Sequence, residues 1–466
     1  MKRSSRIPHL SVVLLVLTVL LALQAGHSAL VAGDHGPEVI QTPTATPEPE
    51  ADVLPNDVPA GSTLISVQSY GGFTENNGRV LVVTPHGETV WEWAPPNSRV
   101  FDAEYLENGN VQVALGERVQ VEDCPVQYQG HGHCILNRVV EVDFETKDVV
   151  WEYSWYDEFI NWHEVHEADR LDNGEVAIVD MGKNRAFTVD PAGEITWEWQ
   201  FEEHLGEGSP FHDEYGGPIQ QSPTDDWTHA NDISWVEDQY FQLSIRNFDV
   251  VIWVDPETDE IVKVIGEPGN HEIMHNQHNP QWLPERGTLL VADSENDRAV
   301  ELRPDGEIIW EYGGSGQLSW PRDADRLPNG NTLITDTYHN RVIEVTPDGE
   351  IVWEYRVTIV EDGQLKGGLV YIADRLSMDG QRLAEEQSTF EDVDYTETGT
   401  VTPHPDRLTT DGGELDRWIP RLEAWSRFYF PYWFEFRHLL TMTAGVFVGL
   451  WLVGELAWLG WRTRKE

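Results

Sequence analysis

From Thr63 onward, apolar and polar positions alternate in short runs cut by turn clusters such as TPHG, DPAG, DPET, RPDG and TPDG. Period-two alternation over runs of this length predicts half-buried strands, and turns at close spacing predict antiparallel hairpins. A tail motif recurs six times: GETVWEW ending at Trp93, TKDVVWEY at Tyr153, GEITWEW at Trp199, DEIVKVI at Ile265, GEIIWEY at Tyr312 and GEIVWEY at Tyr355. Ahead of the tails runs a second recurring segment: HEADRLDNGEVAIVD from His166, HANDISWVEDQYFQLS from His229, HNPQWLPERGTLLVAD from His278 and RDADRLPNGNTLITD from Arg322. One unit is therefore an inner strand starting near the histidine position and a second strand ending at Asp180, Ser244, Asp293 or Asp336. A third strand such as RAFTVD and a fourth such as ITWEW complete it.

Four-stranded units recurring at about 40 to 50 residues predict an all-β fold, a six-bladed β-propeller of four-stranded blades. Closure can be read from the same register. The N-terminal segment supplies only TLISVQSY, RVLVVTP and TVWEW and lacks an inner strand, while an unmatched inner-strand motif, GLVYIADRL, occurs at Gly368 to Leu376. Pairing the two closes the ring and removes the open edges of a linear array. A pair of β-sandwiches, the competing all-β architecture, leaves six tails in register unexplained.

The ends of the chain differ from its middle. Lys2, Arg3 and Arg6 precede an apolar run from Leu10 to Leu23, followed by small residues, which predicts a signal peptide or signal-anchor over 1–32. A Pro, Thr and Glu-rich stalk follows over 33–62, then the propeller over 63–378 and an acidic linker with an aromatic juxtamembrane segment over 379–437. Leu439 to Trp461 is apolar apart from Glu455, long enough for a transmembrane helix over 438–461, and a basic tail closes the chain over 462–466. Basic flanks at both ends predict a cell-membrane protein with the propeller on the extracytoplasmic side. In that compartment Cys124 and Cys134, the only cysteines, are expected to form a disulfide. His131 and His133, between them, read as solvated loop histidines. A formal net charge of −50 excludes nucleic acid as a partner and reads as an acidic, solvated surface of the kind found in high-salt habitats.

Equivalent inner-strand positions around a propeller face the same place, so His166, His229, His278 and Arg322 converge, with Phe101 and Tyr371 in the remaining two register positions. The loop after a second strand lies beside the start of the inner one, and in the His229 unit that loop is SIRNFD, with Arg246 where sibling units have Gly182, Glu295 or Tyr338. Imidazoles serve as nucleophiles and acid–base groups, while guanidinium binds a tetrahedral oxyanion through paired donors. Transfer of a sulfuryl or phosphoryl group through a histidine intermediate uses both. One channel-facing histidine is ordinarily a structural donor to backbone; three in register with a unique arginine point to chemistry. Metal binding is the rival, since His163 and His166, and likewise His275 and His278, are three apart with His271 nearby. On an extended strand that separation puts side chains on opposite faces, so no metal is expected there. Glu164 and Glu167 are expected to orient the rings.

These segments, DWTHANDI with the following SIRNFD, HEADRLDNG and QHNPQWLPERGTLLVAD, resemble the arylsulfotransferase family of six-bladed propellers over about Thr63 to Leu376. The resemblance implies transfer of a sulfuryl group from an aryl sulfate donor to a phenolic acceptor through a histidine, with no diffusible cofactor. It assigns the sulfated histidine to His278 and supporting roles to His166, His229 and Arg246, leaving Arg322, Phe101 and Tyr371 to line the substrate. The chain departs from bacterial members in having a short stalk in place of their N-terminal β domain, and in its C-terminal apolar span. A non-catalytic propeller that binds a ligand or protein through the same face is the alternative function.

Overall fold

Each recurring unit folds into one antiparallel sheet, and six such sheets form the propeller. The computed structural model describes residues 56–376 except 57, 73–74, 132, 159–162, 315–316 and 362–363. The leader, almost all of the stalk and everything from 377 on, including Leu439 to Trp461, lie outside the described residues. Among those described, no helix is long and apolar enough to cross a membrane.

Blade one holds β1 (Thr63–Tyr70), β2 (Arg79–Val83) and β3 (Thr89–Trp93); blade two holds β4 (Ser98–Tyr105), β5 (Val111–Gln120), β6 (His133–Val142) and β7 (Val149–Glu158). Blade three comprises β8 (Glu167–Arg170), β9 (Val176–Asp180), β10 (Arg185–Val189) and β11 (Ile195–Gln200); blade four comprises β12 (Ala230–Val236), β13 (Tyr240–Ile245), β14 (Val250–Asp255) and β15 (Glu260–Gly266). Blade five is β16 (His278–Leu283), β17 (Thr288–Asp293), β18 (Arg298–Leu302) and β19 (Ile308–Gly313), and blade six is β20 (Asp323–Arg326), β21 (Thr332–Asp336), β22 (Arg341–Val345) and β23 (Ile351–Arg356). A hairpin follows, β24 (Thr358–Glu361) and β25 (Gln364–Arg375). The first part of β25 pairs with β24, an extra strand the sequence pattern does not announce, and from Gly368 it pairs with β1 as the inner strand of blade one. The predicted closure is the one observed.

The recurring motifs turn out to be seam chemistry. Indole Nε1 groups of the tails donate to main-chain carbonyls in the outer turn of the next blade: Trp91 to Phe144 (2.7 Å), Trp151 to Pro191 (3.0 Å), Trp199 to Asp259 (3.1 Å), Trp310 to Pro347 (3.1 Å) and, across the closure, Trp353 to Pro85 (3.0 Å). Blade four, whose tail DEIVKVI carries no Trp, has no such donor. The arginine of the inner-strand DRL motif reaches back to a glutamate on the third strand of the preceding blade: Arg170 to Glu141 (3.2 Å), Arg326 to Glu301 (3.0 Å) and Arg375 to Glu344 (2.7 Å). Each guanidinium also lies over a tail indole, Trp151, Trp310 or Trp353, at 5.3, 4.6 and 4.6 Å. Apolar packing fills every seam, as with Leu64, Val82 and Val100 between blades one and two, or Ile65, Val83, Val342 and Trp353 between blades six and one. Cys124, in the insertion between β5 and β6, is disulfide-bonded to Cys134 near the start of β6. His133 is not the solvated loop residue expected: it begins β6 and is half-buried.

Arg326 and Glu301 are both fully buried. Removing one member of such a pair costs roughly 3 to 5 kcal/mol. Because Arg286 and Thr288 also hold Glu301, Arg326→Ala is expected at the low end, about 3 kcal/mol by urea denaturation. Arg303→Ala, which breaks only an exposed pair with Glu307, is expected to leave the midpoint unmoved.

Candidate active site

At equivalent places the inner strands carry FDAEYL, HEADRL, HANDIS, HNPQWL, RDADRL and YIADRL, and the structure brings the first residues of these hexapeptides together. Phe101 stacks on His166 with ring centroids 4.3 Å apart, and His166 meets His229 edge to face at 5.6 Å. Tyr371 is the hub: its ring lies 5.5 Å from His166, 6.0 Å from His278 and 5.4 Å from Phe101, and the Arg322 guanidinium sits over it at 4.5 Å.

Each imidazole is held by its Nδ1. His166 Nδ1 donates to the Glu164 carbonyl (3.1 Å), which can only accept, and His229 Nδ1 to the Asp226 carboxylate (2.6 Å). His278 Nδ1 lies 2.8 Å from Ser294 Oγ. The Ser294 hydroxyl gives its own proton to the Pro321 carbonyl (2.6 Å), so it accepts from His278. Burial, reinforced by Arg322 and Arg246, keeps His278 well below the ordinary imidazole range; burial, His229 and Arg322 do the same to His166. In His229, burial and Arg246 outweigh the Asp226 bond and bring it to about 4. Near neutral pH all three rings are therefore neutral and Nδ1-protonated, each with its lone pair on Nε2. His278 Nε2 is buried and has no hydrogen-bond partner among the described residues.

Arg246 rides on a single 3-10 turn, Arg246–Phe248, between β13 and β14. Its Nη1 donates to Asn247 (2.7 Å), and Asn247 donates to the main chain of Asp226 (2.7 Å), which in turn holds His229. Its Nε is buried with no partner among the described residues. At the equivalent place in blade three, an added Cβ on Gly182 would lie 2.6 Å from Asp157, so no long side chain fits there. Arg322 is packed between Trp320 (4.2 Å) and Tyr371 and donates to Gln68 (2.8 Å); burial lowers it to about 10. The Tyr371 hydroxyl is buried without a partner among the described residues, and burial pushes its pKa up. Two guanidinia, a phenol and three imidazoles are thus gathered, with the Asp226 carboxylate bonded to His229 and the Glu167 and Asp232 carboxylates acting on Tyr371; the donors suit an anion with several oxygens. A cavity of about 430 Å³ adjoins it, walled by Pro218, Trp227, Asp226 and Asn247.

One expectation needs correction. Glu164 does not orient His166 through its carboxylate, which is paired with Arg99 at the back of Phe101; its main-chain carbonyl does so. Neither histidine pair three apart shares a ligand space. His163 turns to Asp157 (3.1 Å), away from His166, and His275 stacks on His271 at 3.6 Å while His278 turns to Ser294. Sequence reasoning missed Ser294, Asp226, Trp320 and Gln68. Ser294 had a signal, since it stands one residue past the end of the second strand, where the sibling Thr337 likewise bonds the next inner strand, at Val370. Gln68, on β1 and 254 positions from Arg322, had none.

Residues 87–278 match the model of the arylsulfotransferase (ASST) family. Over those residues the propeller is similar to the arylsulfotransferase family. The arylsulfotransferase match runs from blade one to His278 itself and takes in His166, His229 and Arg246, whereas Arg322 and Tyr371 follow it. No curated protein matches the sequence. Similar solved structures include a protein of unknown function from Bacteroides caccae, with 14% identity over 67% of this chain and 98% of that one and a TM-score of 0.44. Virginiamycin B lyase from Staphylococcus aureus has 12% identity over 55% and 70%, TM-score 0.35. A chain of the nidogen/laminin complex has 11% identity over 67% and 99%, TM-score 0.40.

Because the folded rings stay neutral where unfolded histidine protonates near pH 6.5, unfolding takes up protons below that pH. Their contribution to stability is present above about pH 6.5 and lost as the pH falls. His163, raised by Asp157 against the effect of burial, acts with the opposite sign. The difference between wild type and His278→Asn isolates one ring: between pH 6.5 and 5 the variant is expected to lose stability less steeply, by up to about 1.4 kcal/mol per pH unit. Equal slopes would show that His278 is already charged in the fold.

Proposed function

We propose that this arylsulfotransferase-like protein moves a sulfuryl group from a phenolic sulfate to a phenol, with His278 Nε2 as the carrier atom. The observation that carries this reading is that Nε2 is a buried, neutral, unpartnered nitrogen set among two guanidinia, within a chain whose arylsulfotransferase match includes it.

In the first half-reaction the anionic ester enters against Arg246, Arg322 and the Tyr371 hydroxyl. Its charge favours protonation of a neighbouring ring, and His229, bonded to Asp226 and 15% exposed, is the ring placed to take that proton. The His278 lone pair attacks sulfur in line, the S–O bond to the aryl group breaks, and the phenolate leaves with the proton from His229. In the second half an acceptor phenol returns a proton to His229, its oxygen attacks sulfur, and the N–S bond breaks to restore neutral His278. His166, edge to face with His229, is the second ring available to the proton. Fixed donors on the equatorial oxygens act where charge develops.

Intact-mass analysis after incubation with an aryl sulfate tests the scheme. Wild type is expected to gain one sulfuryl adduct, His278→Ala none, and His229→Asn an adduct that forms slowly. Arg246→Ala is expected to slow adduct formation by about a hundredfold or more while weakening donor binding less. An unmodified wild type that still binds the ester favours the non-catalytic binding propeller.

The same reading sets the propeller outside the cell membrane, tethered by Leu439 to Trp461, on the strength of the basic residues flanking both apolar runs. Protease added to intact cells is then expected to cleave the propeller; full protection, with cleavage after lysis, overturns the topology.

A further inference from the structure

We propose that Asp249, His271 and His275 form a transition-metal site that pins the segment leading into His278 to the turn carrying Arg246. Donor atoms of the three side chains lie within 4.8 Å of one another. His271 Nε2 is 3.3 Å from Asp249 Oδ2, close to the spacing of about 3.3 Å between two ligands of a tetrahedral zinc ion. The two imidazoles lie parallel, 11° apart in plane and 3.6 Å between centroids, so the half-exposed His271 ring must turn for both in-plane lone pairs to meet one ion. Two imidazoles and a carboxylate suit Zn²⁺ or a neighbouring divalent transition metal, in contrast to the all-oxygen sets that Ca²⁺ and Mg²⁺ take.

Part of this arrangement is ordinary propeller stitching, and the repeats separate that part from the rest. Asp249 Oδ1 accepts the Asn276 N–H (2.8 Å) just as Asp297 Oδ1 accepts the Trp320 N–H (2.8 Å) in the next blade. The His275 N–H donates to Asp293 (2.6 Å) as the Ser319 N–H does to Asp336 (2.8 Å). The backbone pattern therefore needs neither histidine. What this seam adds is an imidazole where its sibling has Ser319, a second imidazole from the loop before it, and the other Asp249 oxygen turned toward them. Asp249 is buried and its ring partner His271 is 53% exposed, so an ion would have a fixed carboxylate and access from solvent. The Asn276 N–H on Oδ1 is the outer hydrogen bond that orients a ligating carboxylate.

Asp249 stands three residues after Arg246, and His275 three residues before His278. One ion would tie together the two segments that bring the unique guanidinium and the unpartnered imidazole to the axis. Binding of the metal does not depend on the sulfuryl-transfer reading, so the two can fail separately.

The experiment uses the untagged full chain, stripped with chelator and titrated with Zn²⁺ alone, with bound metal counted after desalting and thermal stability followed in parallel. One equivalent is expected to remain bound and to raise the melting temperature. His271→Ala, at a half-exposed side chain, and Asp249→Asn, which keeps an oxygen for the Asn276 N–H, are each expected to weaken binding at least tenfold. His278→Ala is expected to leave the Zn²⁺ affinity unchanged. Retention of no stoichiometric zinc, or equal affinity in wild type and His271→Ala, overturns the proposal; loss of binding in His278→Ala moves the site to the axis and overturns it as well.

Discussion

The antiparallel ladder between β25 and β1 is the constraint on which the rest of the propeller depends. It joins residues 63–70 to residues 368–375, almost the full span of the fold, and makes a ring of what would otherwise be a stack with two bare edges. Three of the six seams combine an indole reaching forward to a turn with a guanidinium reaching back to a glutamate. The closing seam is one of them: Trp353 reaches Pro85, and Arg375 on the closing strand reaches Glu344. Closure also sets the axis, because six inner strands in register then begin at one place.

The electrostatic character of that place follows from crowding. Phe101, Tyr371 and Trp320 exclude water from the histidines and from Arg322, and guanidinia at close range raise the cost of charging an imidazole. The main chain, a serine and an aspartate then use up each Nδ1 proton, so the reactive nitrogen is defined by what the opposite nitrogen is bonded to. The buried donors for which the described residues offer no partner, Arg246 Nε and the Tyr371 hydroxyl, have the polarity an ester anion requires.

Much of this was legible in the sequence because a propeller repeats. The tails and the inner-strand hexapeptides set strand number, closure and the six residues at the axis, since a repeated register carries geometry from one unit to the next. Arg246 was legible as the odd residue among equivalent loops. Repetition says nothing about contacts made across the axis, and so Gln68 holding Arg322 could not be foreseen. Nor does it fix which partner a side chain takes: Glu164, adjacent in sequence to the ring it was expected to orient, turns instead to Arg99. The histidine pairs three apart face different ways as expected, although the segment entering β16 is not extended throughout: Asn276 has left-handed backbone, with φ of 51°.

Tyr371 touches His166, His278, Phe101 and Arg322, and it sits on the strand that closes the ring. During synthesis His166, His229 and His278 leave the ribosome well before it does. Until that tyrosine emerges, the histidines have neither their common neighbour nor a sealed barrel of sheets around them. Assembly of the reactive centre is thereby deferred to nearly the last step of making the domain, and a chain interrupted anywhere before residue 371 carries every imidazole yet no finished site.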